Sequence, residues 1–185
     1  MNSLTGKLVR LRPVRESDFE FFAALKNDLR TQAYNQRLPM RATVDGVRDW
    51  WEKERKKPFS GEWSIETLKG KLVGHIGYEE YAPRHAATMG VIIGVEYWGK
   101  GYNQEAHELI LNFLFEERGI QIVKLYTQGG GKRGIAAAKK IGFQVSSIGR
   151  EGCIIGGKAV DHVIMDMLRE DWYKSRKKKD RLPPL

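Results

Sequence analysis

Val91-Ile92-Ile93-Gly94-Val95-Glu96-Tyr97-Trp98-Gly99-Lys100-Gly101-Tyr102-Asn103-Gln104-Glu105-Ala106 carries the chain from an apolar strand, through a glycine-bearing turn, straight into an amphipathic helix. The strand begins near Ala86. The helix runs from Gln104 to Arg118, with Ala106, Ile110, Leu111, Leu114 and Phe115 along one stripe and Gly119 as its stop. A helix that starts directly from such a turn aims its unpaired first-turn N–H groups at it. Gly99 and Gly101 present no side chain against close approach and Lys100 adds positive charge, so the turn can cradle a phosphate. The third glycine of a dinucleotide fingerprint would fall on Gln104, and no Walker Gly-Lys-Ser/Thr ending follows. Taken alone, the turn also fits an ordinary strand-to-helix connection.

Working outward, Lys7 to Val14 alternates as an opening strand, and Ser17 and Asp18 offer capping oxygens to a helix bearing Phe19, Phe21, Phe22 and Leu25. Thr43 caps a second helix with Val47, Trp50 and Trp51, which Pro58 ends. Trp63–Leu68 and Lys71–Tyr81 predict two strands joined at Lys69-Gly70. Further strands fit Ile120–Thr127, Phe143–Arg150 and Val160–Leu168, with a short Ala-rich helix at Lys132–Ile141 after the loop Gly129–Gly131. The expectation is an α/β (α+β) fold: a mixed, mostly antiparallel twisted sheet of about seven strands flanked by helices. At 185 residues the chain suits one domain, assigned to 1–172, followed by a basic tail at 173–185.

Composition narrows the class. Apolar residues make up 41% of the chain and charged residues 30%, and no apolar run reaches the ~20 residues that span a bilayer. MNSLTGKLVRLR lacks the apolar stretch of a secretory signal, and the single Cys153 forbids an internal disulfide, so a cytoplasmic, membrane-free protein is expected. Ile154 and Ile155 beside Cys153 predict a buried thiol. Of the net charge of +9, residues 174 to 181 hold +5. That tail reads as a solvated end, or as an attachment to RNA or an acidic partner. No H-E-x-x-H or Cys/His cluster is present, so no catalytic metal is expected.

The central stretch resembles the acetyl-coenzyme A signature of the GCN5-related N-acetyltransferases, especially their RimJ/RimL-type and spermidine-acetyltransferase branch, in Tyr97, Gly99, Lys100, Gly101, Tyr102, Glu105 and Ala106. The resemblance extends to Val9-Arg10-Leu11-Arg12-Pro13 with Asp18, Leu72-Val73-Gly74, Lys140-Ile141-Gly142-Phe143, and Asp161 through Leu168, covering roughly 7 to 172. It implies acetyl-CoA as cosubstrate, with the backbone of Val91, Ile92 and Ile93 pairing with the pantetheine arm and the N–H groups of Trp98, Gly99, Lys100, Gly101, Tyr102 and Asn103 holding the pyrophosphate. Gly131 joins the cofactor set by the same resemblance. It also implies direct attack of a primary amine on the thioester. The sequence departs from the family at Trp98 (Arg/Gln there), at Asn103 (Gly/Ala, here offering a helix cap instead), at Gly131 (Asn), at Ala138, where the family places the Tyr that protonates the leaving thiolate, and at Thr88, where a strand Glu is frequent.

For proton removal the sequence offers Glu79 and Glu80, adjacent on one strand and therefore aimed at opposite faces. His85 and His162 also read as an exposed loop residue and a strand residue, respectively. Trp50, Trp51, Phe59 and Trp63 fit either core packing or an aromatic acceptor wall. The leading expectation is acetyl transfer to a small-molecule or protein amine, with a homodimer admitted. The alternatives are a non-catalytic acetyl-CoA-binding or regulatory protein and a ribosome- or RNA-associated module.

Overall fold

The computed structural model describes residues 2–33, 41–128, 132–155 and 157–175. The chain forms two compact units: Met1–Glu79 with Gly90–Leu109, and Glu80–Met89 with Ile110–Leu185. Eight strands are present among the described residues, against the seven expected.

The first unit holds β1 (Leu4–Thr5), β2 (Val9–Pro13), α1 (Phe19–Asn27), α2 (Leu29–Ala33), α3 (Val44–Glu54), β3 (Ser60–Thr67), most of β4 (Leu72–Ala82), the end of β5 (Ala86–Ile93) and the start of α4 (Tyr102–Asn112). Its strands follow the order β1-β2-β3-β4-β5, with β1-β2, β2-β3 and β3-β4 antiparallel. The extra strand is β1, whose Leu4 and Thr5 pair with Leu11 and Arg10; two residues are too few for an alternation to be read. Thr43 caps α3 by accepting the Gly46 N–H at 3.0 Å, and the tight turn at Gly70 has the left-handed φ of 83° that favours glycine. Phe19, Phe22, Ala23, Leu25 and Val47 form a core cluster on which Trp50 and Trp51 pack. Each large apolar side chain withdrawn from water there contributes about 1.5–3 kcal/mol.

Asp18 does not cap α1 as expected. Its carboxylate accepts both terminal nitrogens of Arg12 at 2.8 Å, the Ser64 hydroxyl at 2.6 Å and the Arg15 N–H at 2.9 Å. Arg12 also reaches Glu66 at 2.5 Å. Burial pushes the Asp18 carboxyl up, but its hydrogen bonds together outweigh that and hold it below the usual carboxylate range. Arg12 above all holds Glu66 low as well.

The second unit holds β6 (Ile122–Gln128), α5 (Lys132–Ile141), β7 (Gln144–Ile155), β8 (Lys158–Leu168) and α6 (Arg169–Ser175), with the strand order β5-β6-β8-β7. The β5-β6 pair is parallel and the rest antiparallel. Beyond α4, Phe113–Glu117 winds as a π-helical turn, closed by the Arg118 N–H donating to the Phe113 carbonyl at 3.0 Å. Leu114, Phe115, Val123, Met165 and Met167 are buried, and Phe115 meets Trp172 of α6 at 5.8 Å between ring centroids. Cys153 is half-buried rather than buried, because β7 is an edge strand on which neighbouring Ile154 is 72% exposed. Tyr173, assigned to the tail from sequence, lies in α6 and donates to Glu116 at 3.0 Å, so regular structure continues to Ser175.

Candidate active site

β5 runs parallel to β6 only through Ala86, Ala87 and Thr88, opposite Ile122, Val123 and Lys124. Beyond Thr88 the β5 backbone has no parallel partner among the described residues, which leaves the edge at Val91, Ile92 and Ile93 open to an extended ligand. β5 is held on its other side by β4, and the Gly94 N–H donates to the Val73 carbonyl at 3.0 Å. Gly74 makes this approach possible: a Cβ there would overlap the Ile92 carbonyl oxygen and come within 3.0 Å of the Ile93 Cα.

A 3-10 turn, Val95–Tyr97, follows β5. Trp98 closes it by donating its N–H to the Val95 carbonyl at 3.2 Å, and its indole N–H folds back onto the Ile93 carbonyl at 2.8 Å. The Trp98 backbone N–H, assigned to the pyrophosphate from sequence, is therefore already engaged. Gly99 and Gly101 then adopt left-handed φ values of 76° and 82°. The first helical bond of α4 runs from the Glu105 N–H to the Gly101 carbonyl at 3.1 Å. Among the described residues, the N–H groups of Gly99, Lys100, Gly101, Tyr102, Asn103 and Gln104 therefore make no backbone hydrogen bond, and they form a concave anion-binding nest at the positive end of α4. Lys100 lies beside the nest, its Nζ 5.5 Å from the Tyr97 ring centroid. Asn103 lies inside the first turn of α4, one residue past the position at which it could cap. Its carbonyl accepts from His107 Nδ1 at 2.8 Å, and burial pushes that imidazole down, so His107 is a neutral core histidine.

An acidic first turn would repel a phosphate, and α4 carries Glu105 there. The structure turns that charge away. Glu105 accepts the backbone N–H groups of Lys7 at 2.8 Å and of Leu8 and Val9 at 2.7 Å, a three-donor clasp between the start of α4 and the start of β2. Gly6 completes it, since a Cβ there would stand 2.5 Å from the Glu105 carboxyl carbon. Sequence reasoning matched Glu105 to a motif without finding this role. The nearest signal was a glycine one residue ahead of the opening strand.

Glu79 and Glu80 diverge as adjacent strand residues should. Glu79 is exposed and stands 3.3 Å from Lys57. The Glu80 side chain is fully buried: one oxygen accepts Arg118 Nη2 at 2.7 Å and Nε at 2.9 Å, the other the Arg84 N–H at 2.9 Å. Ala138 is only 4% exposed on α5. Gly131 lies outside the described residues. His85 is exposed in the β4-β5 turn, and its carbonyl accepts the Gln121 N–H at 2.8 Å; His162 stacks on Tyr126 at 5.4 Å. No group of three or more metal-ligating side chains exists among the described residues, and no described helix is long and apolar enough to cross a membrane.

Residues 9–144 match the family model described as an acetyltransferase (GNAT) domain. The chain is 25% identical over 170 residues to the SPbeta prophage-derived N-acetyltransferase YokL of Bacillus subtilis, covering 91% of this chain and 94% of that one. It is 23% identical over 170 residues to the spermidine N(1)-acetyltransferase of Escherichia coli K12, covering 91% and 90%. The spermidine N-acetyltransferase of Vibrio cholerae, solved with CoA and spermine, has the same fold: its TM-score is 0.81 at 20% identity, covering 89% of this chain and 98% of that one.

Proposed function

Since the chain belongs to the acetyltransferase (GNAT) domain family and is thus an acetyl-CoA-dependent N-acetyltransferase, we propose that Gly99–Asn103 holds the pyrophosphate, that Val91–Ile93 pairs with the pantetheine arm, and that the acceptor is a primary amine on a small molecule or a protein N-terminus. The observation that carries this reading is the run of six unbonded N–H groups from Gly99 to Gln104 between and beyond two left-handed glycines. A phosphate in that nest gains several hydrogen bonds from donors that are already oriented, so little ordering is needed on binding.

Acetyl-CoA supplies the thioester carbon that the amine attacks. An open N–H of the β5 edge stabilises the oxyanion formed on attack. The amine must be neutral to attack, and Glu79, the exposed member of its pair, takes the departing proton through water. Glu80 is too enclosed to reach an acceptor, and it holds Arg118 and the Arg84 turn in place. The C–S bond then breaks and the thiolate leaves without a protein acid, since Ala138 occupies the position of the family Tyr; a reference thiol pKa of about 8.5 allows this with solvent help. Activity should therefore rise with pH to a plateau. For the tail from 173 onward we keep an RNA or acidic partner, supported by its charge. For the edge strand β7, with Ile148 and Ile154 exposed, we keep a second copy of the chain.

Calorimetry with acetyl-CoA, paired with coenzyme A release over a panel of amines, tests this reading. Gly101→Asp should weaken acetyl-CoA at least tenfold, by placing negative charge in the nest. Equal affinity in a folded variant would move the pyrophosphate elsewhere. Tight acetyl-CoA binding with no coenzyme A release from any amine would leave a binding protein.

A further inference from the structure

The side of the second unit's sheet opposite Val123, Leu125 and Met165 is open and carries a cation among aromatic rings. Cross-strand partners share a face. Thr88, Lys124 and Asp166 lie opposite one another in one row, and Tyr126 and Ile164 in the next. Tyr81, Tyr126 and Leu168 are about half exposed. Lys124 Nζ lies 5.5 Å from the centre of the Tyr81 ring, while Tyr126 and His162 stack at 5.4 Å with an interplanar angle of 22°. Lys124 has no carboxylate within 4.0 Å among the described residues, although Asp166 is its cross-strand partner. The Tyr81 hydroxyl, foremost, keeps the ammonium charged by holding its pKa above the usual lysine range. Thr88 is on β5 itself, three residues before the edge assigned to pantetheine.

We infer that the acceptor amine also carries an anionic group, a carboxylate in the simplest case, and that Lys124 binds it on the face formed by Tyr81, Tyr126 and His162. This rests on the N-acetyltransferase reading. A half-exposed ammonium with two aromatic neighbours offers a carboxylate a charged hydrogen bond and offers the body of the acceptor ring surface to lie on. A polyamine needs the reverse, several carboxylates to meet several ammonium groups, and Asp166 is the only acid this face supplies.

Two matched pairs isolate the carboxylate: phenylalanine with phenethylamine, and lysine with cadaverine. Spermidine is the polycationic control. The wild-type protein should favour the carboxylate-bearing member of each pair by about tenfold in kcat/KM, through KM, as loss of one part-exposed charged hydrogen bond removes. Lys124→Gln should abolish that preference and Lys124→Glu should reverse it. Tyr81→Phe, which removes the hydroxyl that holds Lys124, should reduce it. Preference for cadaverine or spermidine in the wild type, or a ratio unchanged by Lys124→Glu, overturns the inference.

If no amine is acetylated, the transfer reading fails, and the inference is judged by binding instead. With CoA present, N-acetylphenylalanine should bind more tightly than N-acetylphenethylamine, and Lys124→Glu should remove the difference. Equal binding, or binding of neither, overturns it.

Discussion

Removing the Glu105 carboxylate should loosen the joint between α4 and β2. Three backbone N–H groups share it, at 2.8, 2.7 and 2.7 Å. A hydrogen bond to a charged group contributes roughly 1.5–3 kcal/mol, but a donor that regains water loses little of that. The Lys7 and Leu8 bonds are exposed, whereas Val9 is fully enclosed and its N–H would stay dry. Glu105→Ala should therefore cost about 2–4 kcal/mol, most of it at Val9, which for a domain of this size lowers Tm by roughly 5–12 °C. Glu105→Gln keeps one accepting oxygen and should cost about half as much. Gly6→Ala drives a methyl group against the same carboxyl carbon and should destabilise through the same joint. Urea unfolding of the four proteins in the Gly6→Ala/Glu105→Ala cycle measures this, and the double variant should lose less than the sum of the singles. A loss below about 0.5 kcal/mol for Glu105→Ala would show that the clasp contributes nothing and refute the reasoning.

Ala138→Tyr, which supplies the family's proton donor, should not raise turnover: Ala138 is 4% exposed, and forcing a ring into that packing should cost about 1–3 kcal/mol, read as a lowered Tm. The two glutamates should separate cleanly. Glu80→Gln leaves Arg118 without its charge partner and should destabilise by about 3 kcal/mol in urea unfolding, whereas Glu79→Gln should hold stability and lower turnover at saturating acetyl-CoA. Acid should unfold the protein in two stages. His107 has its pKa depressed by burial, so its contribution is complete above the unfolded value of about 6.5 and declines as pH falls below it. Asp18 and Glu66 are depressed too, so theirs is complete above about pH 5 and is lost only at lower pH. In pH-dependent urea unfolding, His107→Asn should flatten the upper stage and Asp18→Asn the lower.

The sequence disclosed what is local. The Thr43 cap, the Gly70 turn and the Gly99 and Gly101 turn each depend on the chemistry of a few consecutive residues, and each was legible before any coordinates. What escaped depends on distant partners. Glu105 reads as an acidic first-turn residue until Lys7–Val9 arrive from nearly a hundred residues away, and Asp18 reads as a cap until Arg12 and Ser64 enclose it. Cys153-Ile154-Ile155 reads as core because its composition is apolar, yet strand order puts β7 at an edge. Trp98 was placed correctly in the chain, but its bonds to Val95 and Ile93 follow from a 3-10 turn that no periodicity announces. The opposite fates of Glu79 and Glu80 were legible from strand alternation. Which of the two would be enclosed was not.

The π-helical turn at Phe113–Glu117 fixes how length changes in this part of the gene can be absorbed. A wide turn holds one more residue than an α-turn of the same span, so Arg118 emerges with a phase that an ideal helix would miss. Deleting a single codon between 113 and 117 would regularise the helix and turn everything after it by ~100°. Arg118 would then swing away from Glu80, and that buried carboxylate would lose its guanidinium although both residues were still encoded. A substitution scan across the turn would miss this dependence, because it lies in the spacing of the residues.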